Sequence, residues 1–259
     1  MFSSTSFLFV LFILLLCGYT LHKVRLVHLL LHEVRDHALR EPAGLYRQLE
    51  ALQGLYAELN LSRSLPATRG WAASPDLLLE LARHAQAACP QVVVECSSGT
   101  STLVLARCMQ LNGTGMVYSL EHDPVYAQHT RRELERHGLS AWAQVLDAPL
   151  QPQQFGAATW PWYAPSALHS ALPAQAQVDL LVIDGPPQAT RQLARYPAGP
   201  ALFPLLADGA VVFLDDSARP DEQRILALWK EEFPELEHSS RPCEKGCALL
   251  TRRAGRQTG

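Results

Sequence analysis

Val92-Val93-Val94-Glu95-Cys96-Ser97-Ser98-Gly99-Thr100-Ser101-Thr102 is the stretch that decides how this chain folds. Three β-branched residues in a row predict a buried strand. The acid and the small residues after it predict a tight turn, and Leu103-Val104-Leu105-Ala106 continues as a helix. At the carboxyl end of a parallel strand, residues without bulk let the backbone approach a ligand, and the unpaired N–H groups of the next helix point at it. The stretch therefore reads as a nucleotide-cradling turn. On its own it is equally compatible with an ordinary strand-turn-helix of another α/β protein.

Glu95 narrows the ligand. A carboxylate at the turn repels a pyrophosphate but suits a cationic, hydroxyl-rich molecule, and S-adenosylmethionine (SAM) offers amino and sulfonium groups together with ribose hydroxyls. A second acid supports this reading. Met116-Val117-Tyr118-Ser119-Leu120 predicts the next strand, and it ends in Glu121, 22 positions after Gly99. An acid roughly 20 residues past a glycine turn is where a doubly wound fold places the carboxylate that accepts ribose hydroxyls. A nicotinamide-dependent oxidoreductase is disfavoured, because the turn lacks Gly-x-Gly-x-x-Gly and sets Glu95 where phosphate would lie.

Further along, Asp123-Pro124 starts a helix that Gly138 stops, and Ala143 to Leu146 predicts a strand ending in Asp147. Asp147 can accept from an adenine amino group or stand as a surface carboxylate. Residues 148–177 break the rhythm with five prolines and a Trp160-Pro161-Trp162-Tyr163 cluster. A long loop inside a compact domain is usually functional, and its aromatics either wall an acceptor pocket or pack on the sheet edge. Val178 to Ile183 then delivers Asp184-Gly185-Pro186-Pro187, helical residues run to about Leu206, and Ala210 to Leu214 delivers Asp215-Asp216. A helix from about Pro220 to Phe233 and two short strands near 236–240 and 247–251 finish the sheet.

Upstream, Ser74, Pro75 and Asp76 predict the cap and first turn of a helix leading into the strand at Val92. Leu45, Leu49, Leu52, Tyr56 and Leu59 form a heptad stripe that is short for a coiled coil. Packing on the chain's own domain is favoured over a weak homodimer through residues 45–59. Glu41-Pro42-Ala43-Gly44 is expected to break residues 22–60 into two helices. From Phe2 to Leu21 no residue is charged, and a bilayer core needs about 20 apolar residues. No basic residue precedes this run, which argues against a cleaved signal peptide, whereas Lys23, Arg25, Arg35 and Arg40 follow it. The positive-inside rule then makes it a single-pass anchor in the cell (inner) membrane, residues 2–21, with a cytoplasmic domain after it.

The 259 residues, 48% hydrophobic and 18% charged, allow one sizeable domain plus an appendage. A net charge of −3 gives no electrostatic footprint for nucleic acid. The six cysteines show no paired framework, and Cys243-Glu-Lys-Gly-Cys247 reads as a turn between two late strands rather than a metal half-site or disulfide.

Taken together, Glu-x-x-Ser-Gly-x-Ser-Thr, Leu-Glu-His-Asp-Pro, Ile-Asp-Gly-Pro-Pro, Arg195-Tyr196-Pro197 and Leu-Asp-Asp, with Gly70-Trp71-Ala72-Ala73-Ser74-Pro75 before them, resemble the class I SAM-dependent methyltransferases, in the methyltransferase domain 24 group. The resemblance covers roughly residues 60–251. It implies a Rossmann-like α/β fold, a seven-stranded sheet parallel except for one strand, with helices on both faces. It also implies a cofactor site of Glu95, Ser97, Gly99 and Ser101 on the methionine side, Glu121 with His122 at the ribose, Asp147 and Ala148 beside adenine, and Asp184 over the same crevice. Ser97 departs from the usual glycine, and a positive φ there implies strain of about 1 kcal/mol.

Asp184, Asp215 and Asp216 stand where distantly similar catechol-type enzymes hold Mg²⁺, but Asp216 replaces an asparagine and no lysine base follows Asp184. The metal is not favoured. Asp184 and Asp216 are the candidate proton acceptors, with His122 a weaker one. The implied activity is methyl transfer to oxygen or nitrogen of a small-molecule or envelope-related acceptor. The rival reading is a catalytically inactive binding or scaffold protein at the membrane. The expected organisation is an anchor at 1–21, a helical juxtamembrane linker at 22–60, the methyltransferase domain at 61–251 and a disordered tail at 252–259.

Overall fold

The structure, a computed structural model, describes residues 4–253. The first three residues of the expected anchor, and all but Arg252 and Arg253 of the expected tail, lie outside the described residues. Two compact units divide the chain, Met1–Arg47 and Gln48–Gly259.

The first unit is formed by helix α1 (Ser4–Glu58), which continues into the second unit. Pro42 does not break it as expected, and the helix runs through that position. A proline removes one ladder hydrogen bond and crowds the preceding turn. Here the regular turns on both sides outweigh that single loss. Within α1, Phe7–His32 is long and apolar enough to cross a membrane, and none of its apolar window is buried. This stretch overlaps the expected 2–21 and extends past it to take in Lys23 and Arg25, whose long stems carry charge away from an apolar surface.

In the second unit, the last turns of α1 bury Gln48, Ala51 and Leu55, with Leu59 buried just after the helix, whereas Leu49 is 63% exposed. The packed face is therefore rotated from the expected stripe. A polar residue takes part in it because Gln48 is bonded twice to Asp76, Nε2 to Oδ2 at 2.7 Å and Oε1 from the Asp76 N–H at 3.1 Å. Asp76 also accepts from Ser74 Oγ (2.6 Å) and from the N–H of Leu77 (2.9 Å). It, and not Ser74, anchors the start of α2 (Pro75–Ala88).

Seven strands form the main sheet: β1 (Val92–Cys96), β2 (Met116–Glu121), β3 (Ala143–Asp147), β6 (Val178–Ile183), β7 (Leu206–Asp215), β8 (Leu236–Arg241) and β9 (Cys247–Arg252). Their order is β3-β2-β1-β6-β7-β9-β8. β9 alone runs against its neighbours. Helices α3 (Thr100–Asn112), α4 (Pro124–His137) and α7 (Pro220–Glu232) fall close to their expected positions. Alternation along each strand separates two cores. Val93, Val117, Leu180 and Phe213 belong to one, and Val94, Leu120, Leu181 and Val212 to the other.

Residues 148–177 are not a loop. They form a hairpin of β4 (Leu150–Phe155) and β5 (Ala158–Tyr163), followed by α5 (Pro165–Ala171). The prolines that argued against strands are accommodated because Pro152 pairs with Pro161, so the two residues unable to donate face each other in a two-stranded ribbon. The expected long helix before β7 is replaced by a short α6 (Ala198–Leu202) between two 3-10 turns. Cys243 lies in the β8–β9 connection and Cys247 opens β9, both as free thiols.

Candidate active site

Strand order reverses direction between β1 and β6, and the crevice at the carboxyl ends of strands flanking such a switch point is where open α/β sheets bind ligands. The sequence places Glu95, Ser97 and Asp184 there.

Glu95 is 1% exposed. Its Oε2 accepts from Thr102 Oγ1 (2.5 Å) and Ser119 Oγ (2.7 Å). Its Oε1, although buried, has no hydrogen-bond partner among the described residues. Burial pushes the Glu95 carboxyl above its ordinary range, against the opposing pull of the nearby Ser101, Thr102 and Ser119 hydroxyls. Glu121 is also buried. Its Oε2 accepts from Ser98 N and Oγ (both 2.9 Å), and its Oε1 from the N–H groups of His122 (2.9 Å) and Asp123 (3.0 Å). Burial raises the Glu121 pKa, but these donors outweigh it and hold the group below its usual value. The two acids thus bracket the Ser97–Gly99 turn, Glu121 holding it directly through Ser98 and Glu95 indirectly through Thr102, whose Oγ1 accepts from the Gly99 N–H at 3.0 Å.

Ser97 adopts φ +92° and Gly99 φ +157°. The strain expected at a serine in a left-handed conformation is therefore present. Ser97→Gly is expected to stabilise the protein by about 1 kcal/mol, read as a melting temperature higher by about 2–4 °C. An unchanged or lower melting temperature would show that the serine side chain compensates for its backbone.

The outer positions are more open. Asp147 is bonded to Arg131 (2.8 Å) with its side chain 66% exposed, while Ala148 is buried and donates its N–H to Glu121 O at 2.7 Å. His122 places Nδ1 3.1 Å from Glu121 Oε1, and its ring centroid lies 6.3 Å from that of Tyr163.

Asp184, Asp215 and Asp216 each bring one oxygen within 4.8 Å of the others. Among them sits Arg195, a residue whose role neither spacing nor motif announced. Its Nη2 donates to Asp184 Oδ1 (3.0 Å), Asp216 Oδ2 (2.8 Å) and the Asp184 carbonyl (3.1 Å), and its Nη1 to the Asp215 carbonyl (2.9 Å). Burial lowers the Arg195 pKa, but Asp184, Asp216 and Glu222 raise it further, so the guanidinium stays charged. Asp216 Oδ2 also meets Arg219 Nη1 at 2.8 Å. The fit to a divalent ion is poor. Two of the three carboxylates already grip a resident cation, although both oxygens of Asp215 lack partners among the described residues.

Burial first, then Arg195 in opposition and Asp216 in support, leaves Asp184 raised to about 6. Burial with Asp184 and Asp216 raises Asp215 to about 7. Both folded values exceed the unfolded carboxylate range, so between about pH 4 and 7 the folded chain holds protons that the unfolded chain has released, and stability falls as pH rises. Asp215→Asn is expected to remove much of this decline, by roughly 2–4 kcal/mol at pH 8. Melting curves from pH 4 to 8 test this, and parallel curves for the two proteins would refute it.

A doubly wound sheet with buried acids ending its first two strands around a glycine turn defines a Rossmann-like domain built for a nucleoside-containing ligand. Residues 94–217 match the family model described as methyltransferase domain. Over those residues the domain matches that family, and its fold is the Rossmann-like one of the class I SAM-dependent methyltransferases. Among solved structures, the fold is similar to cofactor-bound Rv0187 from MTB, with TM-score 0.54 and 24% identity over 80% of this chain and 91% of that one. SAH-bound PaMTH1 of Podospora anserina gives TM-score 0.55 at 14% identity, covering 77% and 88%. The O-methyltransferase TomG of Streptomyces achromogenes, in complex with SAM, gives 0.52 at 16%, covering 80% and 89%. At these identities the likeness is one of fold. No curated protein matches the chain.

Proposed function

We propose that the protein transfers a methyl group from SAM to an oxygen or nitrogen of a small-molecule or envelope-related acceptor, while anchored in a membrane by its N-terminal helix. The observation that carries the reading is the turn between Glu95 and Glu121, with a buried carboxylate oxygen of Glu95 still without a partner. A cationic ammonium is the group that such an oxygen suits. The O-methyltransferases among the similar folds favour oxygen as the acceptor atom.

The sulfonium of SAM makes its methyl group electrophilic, so the protein's task is alignment and proton removal. Glu95 and the Ser97–Ser101 turn hold the amino-acid end. Glu121 serves the ribose, whose hydroxyl takes the place of Ser98 Oγ; the Ser98 hydroxyl keeps a second partner in Thr130 Oγ1, 3.1 Å away. Asp147 and Ala148 border the adenine. Asp184 takes the acceptor's proton, being the more accessible of the two candidates, with 18% of its side chain exposed against 3% for Asp216. Arg195 supplies the fixed positive charge, and no divalent ion is required.

The anchor reading rests on the apolar Phe7–His32 stretch of α1 and on the basic residues that accompany and follow it, which favour a cytoplasmic domain. We read 1–21 as the anchor, 22–60 as the linker and 61–251 as the methyltransferase domain. Calorimetric titration of the full chain in detergent micelles with SAM and with SAH tests the function. Saturable heat is expected for both, and none with either would leave the scaffold reading in its place.

A further inference from the structure

The Tyr163 hydroxyl is a buried polar group that the reading above does not use. Tyr163 ends β5 and is 1% exposed, and its ring centroid lies 5.0 Å from that of Trp162. Its hydroxyl has no hydrogen-bond partner among the described residues, although buried tyrosine hydroxyls ordinarily find one.

Its position is fixed by Gly185. A Cβ built on that residue would lie 2.5 Å from the Tyr163 hydroxyl, 3.0 Å from Ser97 Cβ and 3.3 Å from the Cys96 carbonyl. Any side chain at 185 would collide with the phenol, so glycine there permits the close approach. Three elements distant in sequence therefore meet at one point: the turn after β1, the turn after β6 and the end of the β4–β5 hairpin. That point is the topological switch of the sheet. The groups acting on the phenol include Glu121, Asp184 and Arg195, the residues of the site itself, and burial first of all keeps it protonated.

We propose that Tyr163 is a donor-binding residue, its hydroxyl making its missing hydrogen bond to the amino-acid end of the bound methyl donor, so that the β4–β5 hairpin forms one wall of the donor site. The amino-acid end is specified by Ser97, which belongs to the turn assigned to that end; the inference rests on that assignment. Among the described residues nothing depends on the phenolic oxygen for a hydrogen bond, which separates binding from folding in a single substitution.

The test uses the full chain in detergent micelles with SAH as the probe. Tyr163→Phe is expected to melt at the wild-type temperature or slightly above, since an unpartnered buried hydroxyl has been removed, and to bind SAH about tenfold more weakly, the loss expected for one good hydrogen bond. SAH affinity equal to wild type, or a lowered melting temperature with affinity intact, would overturn the proposal by making the hydroxyl idle or structural. A wild-type chain that gives no heat with SAH would instead remove the assignment beneath it, and the proposal with it. The two failures are therefore distinguishable.

Discussion

Arg195→Ala is expected to lower the stability of the protein by about 3–5 kcal/mol, the loss typical when one partner of a buried ion pair is removed and its counter-charge stays behind. For a domain of this size that is a fall in melting temperature of roughly 10 °C or more. The effect is large because one guanidinium serves four oxygens, the Asp184 and Asp216 carboxylates and the carbonyls of Asp184 and Asp215. It also stands 3.7 Å from Glu222. Without it, four acids share a nearly dry volume with only Arg219 and Lys245 at its margin, the latter 3.9 Å from Asp216. The deficit grows with pH, since Asp184 and Asp215 are already raised to about 6 and about 7 with the cation present. Arg195→Lys falls between, because an ammonium is a point charge and cannot reproduce a planar fork.

The same variant examines the resident-cation argument. In the wild type, melting is expected to be indifferent to millimolar Mg²⁺ and to chelator. In Arg195→Ala, Mg²⁺ is expected to raise the melting temperature by filling the space among three carboxylates whose oxygens lie within 4.8 Å of one another. A wild-type protein that chelator destabilises would show that the guanidinium is not the cation of this cluster.

The contrast between Glu95 and Arg195 shows where sequence reasoning reaches its limit. Glu95 and Glu121 were legible because period-2 strands and small-residue turns fix which residue ends a strand, and the end of a parallel strand is a place with known chemistry. The seven-stranded sheet with one reversed strand was implied by the family resemblance, not by the alternation of strand and helix. Arg195 was quoted within a motif but gave no sign of its partners, since it reaches Asp184 and Asp216 across 11 and 21 residues of intervening chain. Spacing carries no information at that range. The β4–β5 hairpin was missed for a different reason. Its five-proline region argues against strands when each residue is weighed alone, and only cross-strand register shows Pro152 and Pro161 opposite each other. Tyr163 went with it, noted as one aromatic in a cluster although its hydroxyl lies at the switch point. At α1, counting apolar residues alone chose the wrong face, because Gln48 is buried by its bonds to Asp76.

The remaining prediction concerns the chemistry. Asp184→Asn is expected to cut methyl transfer by roughly 10²–10⁴-fold, the contribution typical of a positioned general base, with SAH affinity changed little. The substitution is a clean one structurally, since an asparagine Oδ1 can still accept from Arg195 Nη2, the contact now made at 3.0 Å, and the residue's backbone carbonyl keeps its own bond to the same nitrogen. What is lost is the ability to take a proton. The acceptor for the assay comes from metabolite profiling of a deletion strain, as the compound lighter by one methyl group. With it in hand, the wild-type profile of kcat/KM against pH is expected to rise through about pH 6, where Asp184 gives up its own proton, and then to level off, because the base works only when ionised. The small residual rate of Asp184→Asn should lack that rise. Transfer within a few-fold of wild type, or a variant that keeps the inflection near pH 6, would remove Asp184 from the chemistry and return the proton to Asp216 or His122.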